Sequence, residues 1–191
     1  METTILWAGR EYDSREHCVV NTSEGGSDIS STIVGRYQDF VYQVHYHILT
    51  NPQWQTLFFE IHSRINGRVR HLQFEGDGAG HWKSGSREAT QFDGCIDIDI
   101  PLTPFTNTLP INRLDIPVGG ERQIQVLYID LLEGRLSGLQ QKYVRRAIDI
   151  YHYENVPNDF EADIEVDTAG LVVDYPALFV RTALHRQVSS S

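Results

Sequence analysis

Two period-two runs between residues 40 and 65, parted by Asn51–Pro52 and closed by Asn66–Gly67, constrain this chain most. Successive strand side chains point to opposite faces. The first run therefore sets Phe40, Tyr42, Val44, Tyr46 and Ile48 against Val41, Gln43, His45, His47 and Leu49. The second sets Leu57, Phe59, Ile61 and Ile65 against Trp54, Thr56, Phe58, Glu60 and His62. Asn66–Gly67 tolerates the positive φ of a type I′ turn, so residues 68–75 are expected to return antiparallel.

The remaining sequence repeats this rhythm. Residues 5–7 and 17–20 read as short strands, 22–31 as a polar loop around Gly25–Gly26, and 81–83 as a short strand carrying Trp82. Residues 122–132 alternate after Gly119–Gly120. The stretch 139–153 fits a helix through Tyr143, Ala147 and Ile150, or a strand with Tyr143, Ala147, Tyr151 and Tyr153 on one face; its β-rich end favours strand. Residues 160–166 alternate, 167–170 turn, 171–175 return until Pro176, and 178–184 form a last element. Short strands at intervals of roughly 8–12 residues, with turn signals between them, define an all-β class. A sheet with one apolar face must curl or stack to hide it. The expected organisation is one domain over 1–188 and a disordered serine tail over 189–191.

One stretch breaks the rhythm. Residues 93–114 read DGCIDIDIPLTPFTNTLPINRL. Asp93, Cys95, Asp97 and Asp99 alternate with Ile96, Ile98 and Ile100, after which Thr103–Pro104 signals a helix start. Phe105 and Leu109 would share a helix face, and Pro110 would limit the helix. Here the chain is expected to turn inward.

Composition narrows the function. The formal net charge is −10, which argues against nucleic acid and anionic membrane surfaces. The basic residues Arg135, Lys142, Arg145 and Arg146 are interleaved with strand residues and do not form a binding stripe. No window approaches the ~20 apolar residues of a transmembrane helix, no signal peptide is visible, and the two cysteines, Cys18 and Cys95, read as reduced thiols. These features together predict a cytoplasmic location.

Chemistry-bearing patterns are sparse. Asp97 and Asp99 share a strand face, where they would bind a hard cation or pair with arginine, Arg113 being one candidate. His45 and His47 share a face, as in β-strand metal sites, but Glu60 lies far along the chain and His62 and His71 complete no contiguous motif. There is no nucleophile elbow, P-loop, Rossmann glycine pattern or CxxC. Neither a catalytic residue, a metal ligand nor a cofactor is assigned. A surplus of aromatic residues suits a curled sheet holding an apolar ligand, or a filled core.

The segments ILW at 5–7, EHCVV at 16–20, YQVHYHI at 42–48, DGAGHW at 77–82, TPFTNTLPINRL at 103–114, QQKY at 140–143 and VDTAGLVVDYPALFVR at 166–181 carry a further signal. With them the chain resembles the glycolipid-binding family of spiral β-roll proteins over nearly its whole length. The resemblance implies a many-stranded antiparallel sheet curled as a half-barrel around one short helix near 103–113. It also implies a lipid or glycolipid partner held without catalysis, by analogy of shape with acyl-chain carriers. On that basis Trp7, Tyr42, Tyr46, Trp54, Trp82 and Phe105 are expected to line the apolar part, and Thr106, Asn107 and Arg113 to meet a head group. The family motif usually reads IRRL where this chain has Ile111, Asn112, Arg113 and Leu114, so one cation is missing. A ligand-free interaction module and a metal-assisted hydrolase are the alternative functions.

Overall fold

The computed structural model describes residues 1–187; the expected 189–191 tail lies outside them. Fifteen strands form one sheet. From its middle, β1 (Glu2–Gly9) leads outward through β2 (Ser14–Ser23), β3 (Gly26–Tyr37), β4 (Phe40–Thr50), β5 (Thr56–Ile65), β6 (Arg68–Gly76), β7 (Trp82–Ser84) and β8 (Arg87–Glu88), each antiparallel to the last. The chain then crosses the interior to the opposite edge. There β9 (Asp97–Asp99) pairs in parallel with β10 (Glu121–Asp130). From β10 the strands β11 (Arg135–Arg145), β12 (Ile150–Val156), β13 (Glu161–Val166), β14 (Val172–Tyr175) and β15 (Phe179–Gln187) step back to the middle, where β15 closes on β1. All the pairings are antiparallel except β9–β10.

The sheet stays open but curls until distant strands meet. Gly134, in the turn between β10 and β11, has φ +70 and lies against the Arg70 guanidinium of β6; a Cβ there would collide with it. Inside the curl sits a plug, the link between β9 and β10. It consists of a 3₁₀ turn, Phe105–Asn107, running directly into α1 (Thr108–Leu114). Asp115 ends α1 in the left-handed region, φ 41. Phe105 and Leu109 pack with Trp7, Tyr46, Phe59 and Ile98, whereas Ile111 joins a second cluster with Tyr143, Tyr151, Tyr153 and Tyr175. The plug thus divides the core between the two halves of the sheet.

The structure corrects the sequence reading in several places. The loop expected over 22–31 is mostly strand: only the Glu24–Gly25 turn separates β2 from β3, and Ile29 and Ile33 alternate inward between serines and threonines. A polar face on an outward-facing strand had the composition of a loop. Residues 139–153 form parts of two strands; the chain breaks at 146–149, where Ala147 is half-buried in a bend. Trp54 lies before β5, not within it, with φ 61. The strand expected over 93–100 shrinks to Asp97–Asp99. Pro110 does not limit the helix but sits in the first turn of α1, where a backbone N–H has no intrahelical partner to lose. The type I′ turn is found as expected, with Asn66 and Gly67 both at positive φ and Ile65 opposite Arg68.

Phe105 is fully buried and stacks on Tyr46 at 6.4 Å between ring centroids. Phe105→Ala is expected to cost ~3–5 kcal/mol, read in urea unfolding as a lower midpoint at unchanged slope. A near-neutral substitution would contradict the plug's place in the core.

Candidate functional site

Polar pegs tie the plug to the wall. Glu16 of β2 is 3% exposed, and its Oε1 accepts hydrogen bonds from Ser31 (2.7 Å), Tyr46 (2.7 Å) and, across from the plug, Thr103 (2.9 Å). Thr103 Oγ1 also accepts the Phe105 N–H at 3.0 Å, so it caps the 3₁₀ turn as its position in the sequence suggests. Glu16 Oε2 has no partner among the described residues. Burial pushes the Glu16 carboxyl up to about 7, although all three hydroxyl donors favour the ionised form.

Asp97 and Asp99 face the plug together. Asp97 is fully buried and held by Arg113 of α1, Nε at 3.0 and 3.2 Å and Nη2 at 2.6 Å. Burial raises its pKa, and the guanidinium counters that rise. Asp99 accepts from Thr106 at 3.1 Å and from Gln141 at 2.7 Å. On the other side Tyr143 donates to Asn107 Oδ1 at 3.0 Å. Asn112 donates to the Ala169 carbonyl at 3.0 Å and packs over Gly170, where any Cβ would collide with it. Its amide therefore docks the 167–170 turn onto α1. The buried Thr108 hydroxyl has no partner among the described residues.

Most of the expected ligand contacts lie in this packed interior. Trp7, Tyr42, Tyr46, Trp82 and Phe105 are at most 3% exposed. The indoles of Trp7 and Trp82 donate to the Val172 and Cys95 carbonyls, at 2.8 and 2.7 Å. Trp54 is half-buried at the core's edge, Thr106 is bonded to Asp99, and Arg113 is committed to Asp97. The structure does not gather this set around one cavity. Of them Asn107 lines the cleft at the mouth of the curl, and Tyr46 borders only a separate groove with His45 and His47.

That cleft, about 190 Å³, opens at the mouth of the curl. Asp99 and Asn107 form its floor, and Tyr12, Tyr128, Tyr153, Phe160, Tyr175 and Phe179 its walls. A second cleft of about 220 Å³ adjoins it through Tyr12, Pro101 and Tyr128, and is edged by Phe40, Leu102, Leu131 and Leu132. Joined, the two reach the lower part of the range of small-molecule sites, roughly 300–1,000 Å³. Among the described residues, no hydrogen bond engages the hydroxyls of Tyr12, Tyr128 or Tyr175, whereas Tyr153 is bonded to Asn155. Burial pushes the Tyr128 phenol up to about 12 and raises Tyr12, Tyr153 and Tyr175 as well, with the Asp99 charge adding to each. These hydroxyls are therefore neutral donors at any physiological pH.

A larger depression, about 620 Å³, lies beside the C-terminal end of α1. Arg145 donates there to the Ile116 and Ile148 carbonyls and Asp167 accepts from Arg181, Arg186 and backbone N–H groups, while Arg145 Nε is buried without a partner among the described residues. Sequence periodicity could assign Tyr128 and Tyr175 to strand faces, but Tyr12 lies in the turn after β1, and nothing in the pattern brings the three to a common end of the sheet.

The family described as "Putative glycolipid-binding" matches residues 4–181. The chain belongs to this family. A crystallised DUF1089 family protein from Pseudomonas aeruginosa is 33% identical, with 87% of this chain and 91% of that one covered and a TM-score of 0.77. A β-barrel-like protein of a domain of unknown function, DUF1849, from Brucella abortus is 9% identical, covers 96% of each chain and has a TM-score of 0.53, a likeness of fold alone. No curated protein matches. Among the described residues, no helix is long and apolar enough to cross a membrane.

The Glu16 peg yields a pH signature. Its carboxyl titrates near 4.5 when unfolded and near 7 when folded, so between those values the folded protein holds more proton. Its contribution to stability is present below about 4.5 and is lost as pH rises to about 7. Glu16→Gln removes this component, so the stability difference between wild type and variant should change by on the order of 3 kcal/mol across that window. Urea unfolding of both proteins at several pH values checks this; parallel curves would contradict it.

Proposed function

We propose that the protein binds the sugar head group of a neutral glycolipid in the tyrosine-lined cleft at the mouth of the sheet. The observation that carries this reading is the trio of phenol hydroxyls, Tyr12, Tyr128 and Tyr175, left without protein partners around Asp99. A pocket that combines apolar walls with a few convergent polar groups is suited to orienting a small ligand. Aromatic faces cover the C–H side of a sugar ring, while phenols and carboxylates exchange hydrogen bonds with its hydroxyls. Glu11 and Asp99 add negative charge to the lining, and the chain carries a net −10, which disfavours phosphate or carboxylate head groups. The adjoining cleft, with Phe40, Leu102, Leu131 and Leu132, would receive the first carbons of the lipid chain.

In this reading Asn107 keeps its direct place beside the head group. Trp7, Tyr42, Tyr46, Trp54, Trp82, Phe105, Thr106 and Arg113 act through the wall and plug that they build beneath it. Two free, buried thiols, Cys18 and Cys95, accord with a reducing, cytoplasmic setting. The close filling of the interior favours one competing reading, an interaction module without a ligand.

An alkyl glycoside should raise the melting temperature of the protein and bind in calorimetry, whereas an anionic phospholipid should not. Two lost hydrogen bonds in Tyr12→Phe/Tyr128→Phe should weaken glycoside binding about tenfold, from ~0.5–1.5 kcal/mol each. Absence of any glycoside effect on the wild type would support the ligand-free reading instead.

A further inference from the structure

The convex face of the sheet carries a second constellation, away from the mouth. Five of the chain's eight histidines, His17, His45, His47, His62 and His71, cluster there on β2, β4, β5 and β6. Strand register sets His17 of β2, Thr32 of β3, His45 of β4, His62 of β5 and His71 of β6 side by side in one row. His47 lies opposite Glu60, one step along. The row is invisible as a motif because its members come from different strands, and Glu60, remote from His47 in sequence, becomes its neighbour.

We propose that Glu60, His62 and His71 form a binding site for a borderline divalent cation, Zn²⁺ being the best fit. Glu60 Oε1 lies 2.7 Å from His71 Nε2 and 3.2 Å from His62 Nε2. The two imidazoles are stacked, with centroids 4.2 Å apart and planes 9° from parallel, so both Nε2 atoms converge on one carboxylate. All three ligand atoms lie within 4.8 Å of one another. Tetrahedral Zn²⁺ with bonds of about 2.0–2.1 Å needs ligand atoms spaced about 3.3 Å apart, so insertion requires spreading the trio by tenths of an ångström. Two imidazoles and one carboxylate suit Zn²⁺ and neighbouring transition metals, whereas Mg²⁺ and Ca²⁺ prefer oxygen alone.

The neighbouring histidines are otherwise engaged. His47 is paired with Asp28 at 2.9 Å, and His45 contacts Thr32 at 2.9 Å and Gln43 at 2.8 Å. They border a groove of about 320 Å³ that Glu60 and His62 also line. A cation held by the trio would keep its fourth position open toward that groove, available to water or an exogenous ligand.

Calorimetric titration of tag-free, chelator-treated full-length protein with Zn²⁺ tests the proposal, with the ligand-field absorption of Co²⁺ as a second readout. One Zn²⁺ per chain is expected. His62→Ala, His71→Ala and Glu60→Gln should each weaken binding at least tenfold. Both histidines are about half exposed, so these variants should keep the wild-type melting temperature without metal. His152→Ala, which removes a separate group with Glu154 and Glu161, should bind as wild type does. Three results would overturn the site: no stoichiometric binding, affinity indifferent to His62 and His71, or loss of binding in His152→Ala alone.

Discussion

The hydrogen bonds converging on Glu16 determine how the interior is arranged. Tyr46 and Ser31 hold the carboxyl from the wall, and Thr103 reaches it from the start of the plug. A buried carboxyl is stable only with such partners, since removal from water is costly for the charged form and an unmade bond is costly for either form. The peg therefore fixes one position of the plug against β2 and β4. At the other end, the bidentate Arg113–Asp97 pair fixes α1 against β9. Between these anchors Phe105 and Leu109 have one way to pack.

A plug so fixed explains why binding is assigned to the mouth. The large aromatic side chains within the curl meet one another and the plug: the Trp7 and Trp82 indoles donate to backbone carbonyls, Tyr46 to Glu16 and Tyr143 to Asn107. Three phenol donors without protein partners among the described residues lie where the curl opens, at Tyr12, Tyr128 and Tyr175. In the proposed reading, negative charge from Asp99 at the base of that cleft would favour a neutral, hydroxyl-rich partner. The histidine row uses the opposite face of the same strands, so the concave and convex surfaces can act separately.

The fold was largely legible because alternation survives burial: β4 buries Tyr42, Val44, Tyr46 and Ile48 as its spacing requires. The turn at Asn66–Gly67 was legible because few residue pairs accept its backbone. The long strand β3 was not, since its inward isoleucines alternate with serines and threonines that elsewhere signal loops. The Arg113–Asp97 pairing was one option among those the sequence offered, and burial of Asp97 against α1 decides it. The cleft was hidden because its walls come from the turn after β1 and from β10, β12, β14 and β15, brought together only by the curl. Pairings such as Glu60 with His71 depend on register, which no single strand's sequence specifies.

Amide chemical-shift mapping during titration with a neutral alkyl glycoside tests most directly whether the ligand sits at the mouth of a filled curl. Perturbations are predicted around Glu11, Tyr12, Asp99, Tyr128 and Asn155, with Trp7, Trp82 and Phe105 little changed. Shifts centred on Phe105 and the tryptophan side chains would place the ligand inside the curl and contradict the account.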